Sequence, residues 1–252
     1  MTDSLRWWSK VLIAMSVLAI AILLCGPFAY KSGLLPLQPA LLSLIVSLGL
    51  GVITLLLSII MLIVSLKKQL EGERNLMIGA LIICCIPVLL VGGQLRMATS
   101  VPEIHDITTD TNNPPEFQKI VVLRKDAMNS LVYEYNGSAE KLAELQLAAY
   151  PELKVIDSTL TVSDAVEKSA SILREMGLEI INVDADAGIV EATDTTFWFG
   201  FKDDIVVRIV AVSDGTSIDL RSVSRVGRSD VGVNAARIMT FTNLYQAPSP
   251  SP

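Results

Sequence analysis

Residues 188–225, GIVEATDTTFWFGFKDDIVVRIVAVSDGTSIDLRSVSR, decide the fold of the C-terminal half of the chain. They contain three runs rich in β-branched and aromatic residues, and turn formers at Gly200 and at the pair Asp214-Gly215 separate the runs. LEIINVDA, residues 178–185, supplies a fourth run just before them. Four consecutive strands with short turns predict an antiparallel meander.

The Asp214-Gly215 pair, read as a two-residue hairpin loop, determines which residues of the last two strands face each other. In that register Arg208 lies opposite Arg221, and two opposed arginines repel unless an anion lies between or beside them. Asp219 is one diagonal candidate for that anion, and a bound ligand is another. The same register puts five residues on the core face: Ile205, Val207, Ile209, Ile218 and Leu220.

Helical patterns surround the strands. Helices are predicted within residues 138–153, where Pro151 ends the helix, in residues 161–177 with Thr161 or Ser163 as the cap, and from about 230 to 245. EFQKIVVL, residues 116–123, is apolar enough to predict a short strand. Together these elements predict one α+β domain over residues 98–246, with helices covering one face of a four-stranded sheet and a disordered tail at 247–252.

The N-terminal part is of a different kind. Residues 11–30, 41–66 and 76–95 lack Asp, Glu, Lys and Arg, and each is long enough to cross a bilayer core of about 30 Å as a helix. Pro87 predicts a kink in the third stretch. We therefore expect a membrane region of three transmembrane helices over residues 1–97.

The basic residues around these stretches predict the orientation. Five of them precede the first stretch or fill the second loop, and two lie in the first loop or after the third stretch; the two groups are Arg6, Lys10, Lys67, Lys68, Arg74 and Lys31, Arg96. The positive-inside rule then places the N-terminus in the cytoplasm. The expected location is the inner membrane of a bacterium, with the C-terminal domain in the periplasm.

The second stretch carries Ser43, Ser47 and Gly51 at four-residue spacing, a stripe of small residues that lets another helix approach closely. Packing against the chain's own first or third helix is one interpretation. Association with another membrane protein, or with a second copy of the chain, is the other. With no ionisable side chain inside the stretches, a proton or ion pathway through them is excluded.

The charged residues of the second half indicate which kinds of ligand it can bind. Residues 101–252 contain 13 Lys and Arg against 23 Asp and Glu, which argues against a nucleic-acid surface. Residues 205–252 nevertheless contain five Arg and no Lys, and arginine favours fixed, bidentate contacts. The candidate anion or ligand site comprises Arg208, Arg221, Arg225, Arg228, Asn234 and Arg237. The alternative is a structural network with the interspersed aspartates.

IHDITTDTNNPP, residues 104–115, contains the single histidine of the chain. His105, Asp106 and Asp110 are candidate metal ligands, although their spacing fits neither a zinc motif nor a calcium loop. A hydrolase using His105 with Ser222, Ser224 or Ser229 is a further hypothesis, and no nucleophile-elbow pattern supports it. No cofactor is expected, because phosphate-binding and dinucleotide motifs are absent from the sequence.

Three blocks of the sequence together resemble one family: PEIHDITTDTNNPPEF (102–117), IVEATDTTFWFGFKDDIVVRI (189–209) and IDLRSVSRVGRSDVGVNAARI (218–238). They are similar to the bacterial domain-of-unknown-function family DUF1499, some of whose members carry N-terminal membrane helices. The resemblance covers residues 101 to about 245 and implies that the second half is one domain that includes the 104–115 motif. The family supplies no activity. We therefore expect a polytopic membrane protein whose C-terminal domain binds a protein partner or a small anion.

Overall fold

The computed structural model describes residues 5–247. The chain divides into two compact units whose boundary lies between Met97 and Ala98. Of the predicted tail at 247–252, only residue 247 is among the described residues.

The first unit contains three long helices, α1 (Trp7–Lys31), α2 (Leu37–Lys67) and α3 (Glu71–Ser100). Each is long and apolar enough to cross a membrane, and each extends several residues beyond the stretch predicted for it. α3 continues as a helix through Pro87. The loop between α2 and α3 is short, and Gln69 turns it with a positive φ of 54°.

The small residues of α2 pack inside the three-helix unit. The Ser47 hydroxyl donates a 2.7 Å hydrogen bond to the Ala19 carbonyl of α1, and Ser43 lies so close to Gly26 of α1 that a Cβ there would overlap it. A Cβ added to Gly51 would lie 3.0 Å from Pro87 of α3. The stripe is therefore used for packing against the chain's own α1 and α3, which is the first of its two interpretations.

The second unit is an antiparallel sheet with helices. Its strands are β1 (Asp106–Thr108), β2 (Ile156–Ser158), β3 (Glu179–Asp184), β4 (Ile189–Thr195), β5 (Lys202–Val212) and β6 (Gly215–Ser224). The order is β1-β6-β5-β4-β3, and β2 pairs with the same strand, β6, as β1. The predicted four-strand meander is thus present as β3–β6, and the prediction of four strands in total is wrong. Each additional strand is only three residues long.

The predicted register of the last hairpin is also wrong. Val212 pairs with Gly215, so Ser213 and Asp214 form the two-residue loop and Arg208 lies opposite Asp219 rather than Arg221. Gly215 is the first residue of β6, and glycine is required there because its φ is 142° and the backbone of Ser158 in β2 leaves no room for a Cβ. The side-chain alternation is unchanged by a shift of two residues, and the five predicted core residues of β5 and β6 are buried.

Both faces of the sheet are covered. On the helix face, α6 (Val162–Glu175) and α7 (Val233–Gln246) pack on the main core, with α5 (Ala139–Ala149) contributing Leu142. The opposite side, called the loop face here, is covered by residues 109–135, and Phe117 and Ile120 pack there on Val206 and Val223. Within this segment residues 120–123 form one helical turn, α4 (Ile120–Leu123), so the predicted strand at 116–123 is wrong.

Side-chain caps explain where α6 and α7 begin, and a glycine explains where α6 ends. The Thr161 hydroxyl accepts a hydrogen bond from the Asp164 N–H at the start of α6, and Gly177 follows that helix at a φ of 85°. The start of α7 is held by Asp230, whose carboxylate accepts hydrogen bonds from the N–H groups of Gly232 and Asn234. Both helices, and α5 as well, lie where the sequence pattern predicts them.

Candidate functional site

Two arginines, the buried Arg124 and the partly buried Arg225, share one carboxylate on the loop face. Asp204 of β5 is fully buried, and it accepts hydrogen bonds from Arg124 at 2.6 Å, from two nitrogens of Arg225 at 2.8 Å and from the Thr193 hydroxyl at 2.7 Å. Burial alone would raise the pKa of Asp204, but the hydrogen bonds from Arg225, Thr193 and Arg124 outweigh it and hold the pKa below its usual value. The carboxylate is therefore charged throughout the neutral range.

A second ion pair joins the first strand to the sheet. Arg221 of β6 forms a bidentate contact with Asp106 of β1, at 2.9 and 2.7 Å, and donates a further hydrogen bond to the Leu131 carbonyl. Its guanidinium lies 5.8 Å from the ring centre of Phe117 and 5.6 Å from that of Tyr133. Burial raises the pKa of the Tyr133 hydroxyl, and the negative charge of Asp106 adds to that effect.

The third pair lies further along the same face. Arg208 of β5 donates two hydrogen bonds to Asp219, its direct cross-strand neighbour, at 3.2 and 2.9 Å. It also donates to the Asn113 carbonyl at 2.8 Å, and Asp110 is 3.6 Å away. Like the other two pairs, this contact holds the covering segment 109–135 against the sheet.

A separate polar cluster lies on the helix face. Arg237 of α7 donates to Asp194 of β4 at 2.7 Å and to Asp203 of β5 at 2.9 Å. Asn234, one turn earlier, accepts from the Ser222 hydroxyl at 2.7 Å and donates to the His105 carbonyl at 3.0 Å. The cluster therefore connects α7 to the end of the sheet and to the chain segment that precedes β1.

The charges of this cluster shift one another's pKa. Burial would lower the pKa of Arg237, but Asp203 and Asp194 raise it above its usual value. Burial raises the pKa of Asp230, against the hydrogen bonds from Gly232 and Asn234, and the nearby Asp203 raises it further. Burial and the short distances between these charged groups therefore explain both pKa shifts.

The six predicted ligand-binding residues therefore do not converge on one site. Arg208, Arg221 and Arg225 lie on the loop face, whereas Asn234 and Arg237 lie on the helix face, so the sheet itself separates the two groups. Arg228 lies in the loop after β6 with its side chain 80% exposed, 3.2 Å from Glu103. Each of the five arginines has a carboxylate of the chain itself within 4 Å.

Each candidate metal ligand contacts a different group of the protein. Asp106 is bound to Arg221, and one Asp110 oxygen accepts hydrogen bonds from the N–H groups of Asn112 and Asn113. The ring of His105 has its Nδ1 atom 3.4 Å from the Arg228 carbonyl oxygen. Within residues 5–247 no three His, Cys, Asp or Glu side chains lie close enough together to hold a metal ion.

The serines proposed to act with His105 form hydrogen bonds with other residues. Ser222 is completely buried and contacts Asn234 and Arg237, and Ser224 accepts a hydrogen bond from Asn234. The Ser229 hydroxyl accepts a hydrogen bond from the Val231 N–H. These contacts are structural ones, typical of capped turns and packed sheet ends.

Two charged residues that the sequence reasoning missed, Glu191 and Arg124, organise residues 120–129 together with the predicted Arg225. The Glu191 carboxylate accepts hydrogen bonds from the N–H groups of Gln118 and Lys119, at 2.6 and 2.8 Å, where α4 begins. Arg124 donates to the Asn129 carbonyl at 3.0 Å, and Arg225 donates to the Leu123 carbonyl at 3.0 Å. Charged residues at strand positions expected to be apolar, such as Glu191, are the signal that could have identified them.

We call residues 120–129 the clamped turn. Ile120 points into the loop-face core, while Val121, Val122 and Leu123 are 49%, 61% and 52% exposed and Met128 is 72% exposed. Apolar side chains this exposed, on a backbone this firmly held, are typical of interaction surfaces.

The protein belongs to a class in which helices able to cross a membrane precede an α+β domain. The arginines of that domain are paired with its own carboxylates. The chain belongs to the family described as "Protein of unknown function (DUF1499)", which matches residues 106–244. The match begins at the first residue of β1 and ends within α7, and it confirms the predicted resemblance. No curated protein and no solved structure matches the chain significantly.

Proposed function

We propose that this is a membrane-anchored accessory protein without catalysis of its own, whose C-terminal domain binds a partner protein through the clamped turn. The observation that carries the proposal is the clamped turn itself, in which buried charges hold exposed apolar side chains in place. The inner membrane of a bacterium and a periplasmic C-terminal domain are part of the proposal, supported by the distribution of basic residues around α1–α3.

Rigidity of the turn favours binding. Its backbone is fixed by Glu191 where it begins, by Arg225 at Leu123 and by its own Arg124 at Asn129, and both arginines are bonded to Asp204 of the sheet. A surface that is already ordered loses little conformational entropy when a partner binds. In this proposal Arg225 is a positioning residue and does not contact the ligand.

The chemistry of the partner follows from the rim of the turn. Lys119 and Lys125, both exposed, flank the apolar residues and outnumber the one acidic residue of the clamped turn, the exposed Asp126, in a half of the chain that is otherwise acidic. The complementary surface is an apolar patch with an acidic rim, because opposite potentials steer association and select the register. We propose a protein with such a patch as the partner.

A small anion is less well supported as the ligand. Arg208, Arg221, Arg225 and Arg237 are each bonded to an aspartate of the chain, so an anion would have to displace a carboxylate from a buried or half-buried pair. Leaving that aspartate unpaired would cost about as much as the anion gains. The arginines therefore fit the structural interpretation better.

Site-specific photo-crosslinking in the intact membrane tests the proposal. The full-length protein would carry a photo-crosslinking amino acid at position 122, and the matched control would carry it at position 210, where another exposed valine lies on β5. We expect a discrete crosslinked product at 122 that is absent at 210 and is lost when Lys119→Glu and Lys125→Glu reverse the rim charge. Equal products at both positions, or none at 122, would contradict the proposal.

The orientation is tested separately. Reporter fusions at positions 70 and 248 should report the cytoplasm and the periplasm, respectively. The reverse result would overturn the proposed location but would leave the clamped turn as a binding surface.

A further inference from the structure

The methionines of the C-terminal unit differ sharply in exposure. Met176 and Met239 are partly buried and pack against the main core, whereas Met128 of the clamped turn is 72% exposed. Methionine is a flexible apolar side chain that ordinarily fills irregular gaps in a core. Met128 fills no such gap, because its side chain lies outside both core clusters. Its thioether therefore belongs to the surface of the domain.

The neighbouring residue, Asn129, fixes the backbone that presents Met128. The Asn129 N–H donates to the Arg225 carbonyl at 3.1 Å, and the Asn129 carbonyl accepts a hydrogen bond from Arg124 at 3.0 Å. The Asn129 side-chain amide donates to two further carbonyls, at 3.0 and 2.8 Å, at the end of β6 and in the loop that follows it. Because Asn129 is held at all of these groups, the Met128 side chain cannot turn inward without breaking them.

Met128 lies in the same surface as the other exposed apolar residues of the clamped turn. The Arg225 guanidinium donates to the Leu123 carbonyl at 3.0 Å, while the Arg225 carbonyl accepts from the Asn129 N–H. One residue thus holds together the two parts of the turn that carry Leu123 and Met128. A change in the polarity of the Met128 side chain would therefore fall within the surface that we propose binds the partner.

The Met128 thioether is open to oxidation by hydrogen peroxide. A lone pair of the Sδ atom attacks one peroxide oxygen, so an S–O bond forms as the O–O bond breaks. The departing hydroxide takes the proton of the transferred oxygen and leaves as water, so the sulfur is oxidised and the peroxide is reduced. Methionine sulfoxide reductases return the sulfoxide to the thioether, so the change is reversible.

We infer that Met128 is a reversible oxidation site and that its sulfoxide prevents binding at the clamped turn, a regulation that rests on the proposed function of that turn. The sulfoxide is polar, and burying a polar group against an apolar partner surface without a hydrogen bond costs free energy. In the free protein water solvates the sulfoxide, so oxidation leaves the fold intact.

Peptide mass spectrometry tests the oxidation site on the full-length protein in detergent. During treatment with dilute hydrogen peroxide we expect Met128 to gain an oxygen atom several times faster than Met176 or Met239, because susceptibility follows exposure. In concentrated urea the same methionines should react at similar rates, because all of them are then exposed. Met128 reacting no faster than Met176 in the folded protein would overturn the inference.

Photo-crosslinking from position 122 in the membrane tests the regulation. Peroxide should remove the crosslinked product, and a methionine sulfoxide reductase with a thiol reductant should restore it. Met128→Leu is the matched variant, because leucine is apolar and has no sulfur to oxidise. Its product should be the same before and after peroxide, and each variant is compared only with itself. Met128→Gln, which is polar without any oxidant, should give little product at either stage.

The outcomes separate this regulation from the proposed function. No product at 122 in untreated membranes would overturn the proposed function and the regulation with it. A product that persists after mass spectrometry finds Met128 fully oxidised would overturn the regulation and leave the proposed function standing. If peroxide removed the product equally in Met128→Leu, the sensitivity would lie at another residue or on the partner, and the regulation by Met128 would again be overturned.

Discussion

Replacing Asp204 with asparagine removes a negative charge that the buried Arg124 and the partly buried Arg225 share. The side chain keeps its shape, but the new amide group offers N–H donors to Arg124 and Arg225, which are themselves donors. Side-chain exposure is 4% for Arg124 and 13% for Arg225, so water does not compensate the loss. Removing one partner of a buried ion pair costs about 3–5 kcal/mol.

We expect Asp204→Asn to lower the free energy of unfolding of the C-terminal domain by about 3 kcal/mol, the lower end of that range, because one amide oxygen still accepts hydrogen bonds. With a urea m-value of about 2 kcal/mol/M, the midpoint falls by about 1.5 M. The assay is urea unfolding of the full-length protein in detergent, followed by Trp198 fluorescence in the Trp7→Phe, Trp8→Phe background.

The pH dependence adds a second, independent signature. The pKa of Asp204 is lowered in the folded state, so its stabilisation is present above the unfolded pKa of about 3.9 and is lost as pH falls through the lower folded value. The stability difference between wild type and Asp204→Asn should therefore be constant near neutral pH and shrink below about pH 4.

The control is Asp214→Asn, the same chemical change at an exposed position of the β5–β6 loop. It should alter stability by less than about 0.5 kcal/mol. If Asp204→Asn were as mild as Asp214→Asn, Asp204 would not be holding the two arginines, and the account of the clamped turn would fail.

Three further predictions use the same unfolding assay. Arg221→Lys keeps the charge but loses the bidentate contact with Asp106, and it should cost about 2 kcal/mol; wild-type stability would refute a role for the guanidinium geometry. Thr161→Ala removes the cap of α6 and should cost about 1 kcal/mol, a loss that Thr161→Ser should largely restore. Gly188→Ala should cost more than about 2 kcal/mol, because Gly188 has a φ of 67° and a Cβ would overlap the Ile209 carbonyl; a neutral substitution would show that this turn can relax.

Periodicity predicts the elements of the C-terminal domain that bury one side of a strand or helix. The alternation through Ile205, Val207 and Ile209 assigns the core face correctly, although the register of the hairpin is wrong by two residues. The error comes from Gly215, which is the first residue of β6 and not part of the loop; its φ of 142° and the nearby backbone of Ser158 both require glycine there. A contact with a strand 57 residues earlier leaves no trace in a local turn pattern.

The predicted strand at 116–123 fails for a similar reason. Its apolar residues favour a strand locally, but the Glu191 carboxylate accepts hydrogen bonds from the N–H groups at 118 and 119 and starts a helical turn instead. The two short strands β1 and β2 were missed because three residues give no periodic signal.

The sequence predicts a role for the arginine-rich block, but the role of each arginine depends on the face of the sheet on which it lies. Arg221 and Arg225 lie on one face, whereas Arg237 lies on α7 on the other. Composition alone cannot reveal that Asp204 bonds Arg225, because that contact depends on the strand pairing that places Asp204 opposite Val223, two residues before Arg225.

The pairing of β1 with β6 sets the order in which the domain is completed. Asp106 is among the first residues of the domain to be synthesised, and Arg221, its partner, follows 115 residues later. Until β6 arrives, β1 has no strand to pair with and Asp106 has no counter-ion, so the last step of folding waits for nearly the whole chain. A truncation before residue 221 would leave a tethered, incomplete sheet with an unpaired edge beside the membrane, which is a substrate that quality-control proteases recognise.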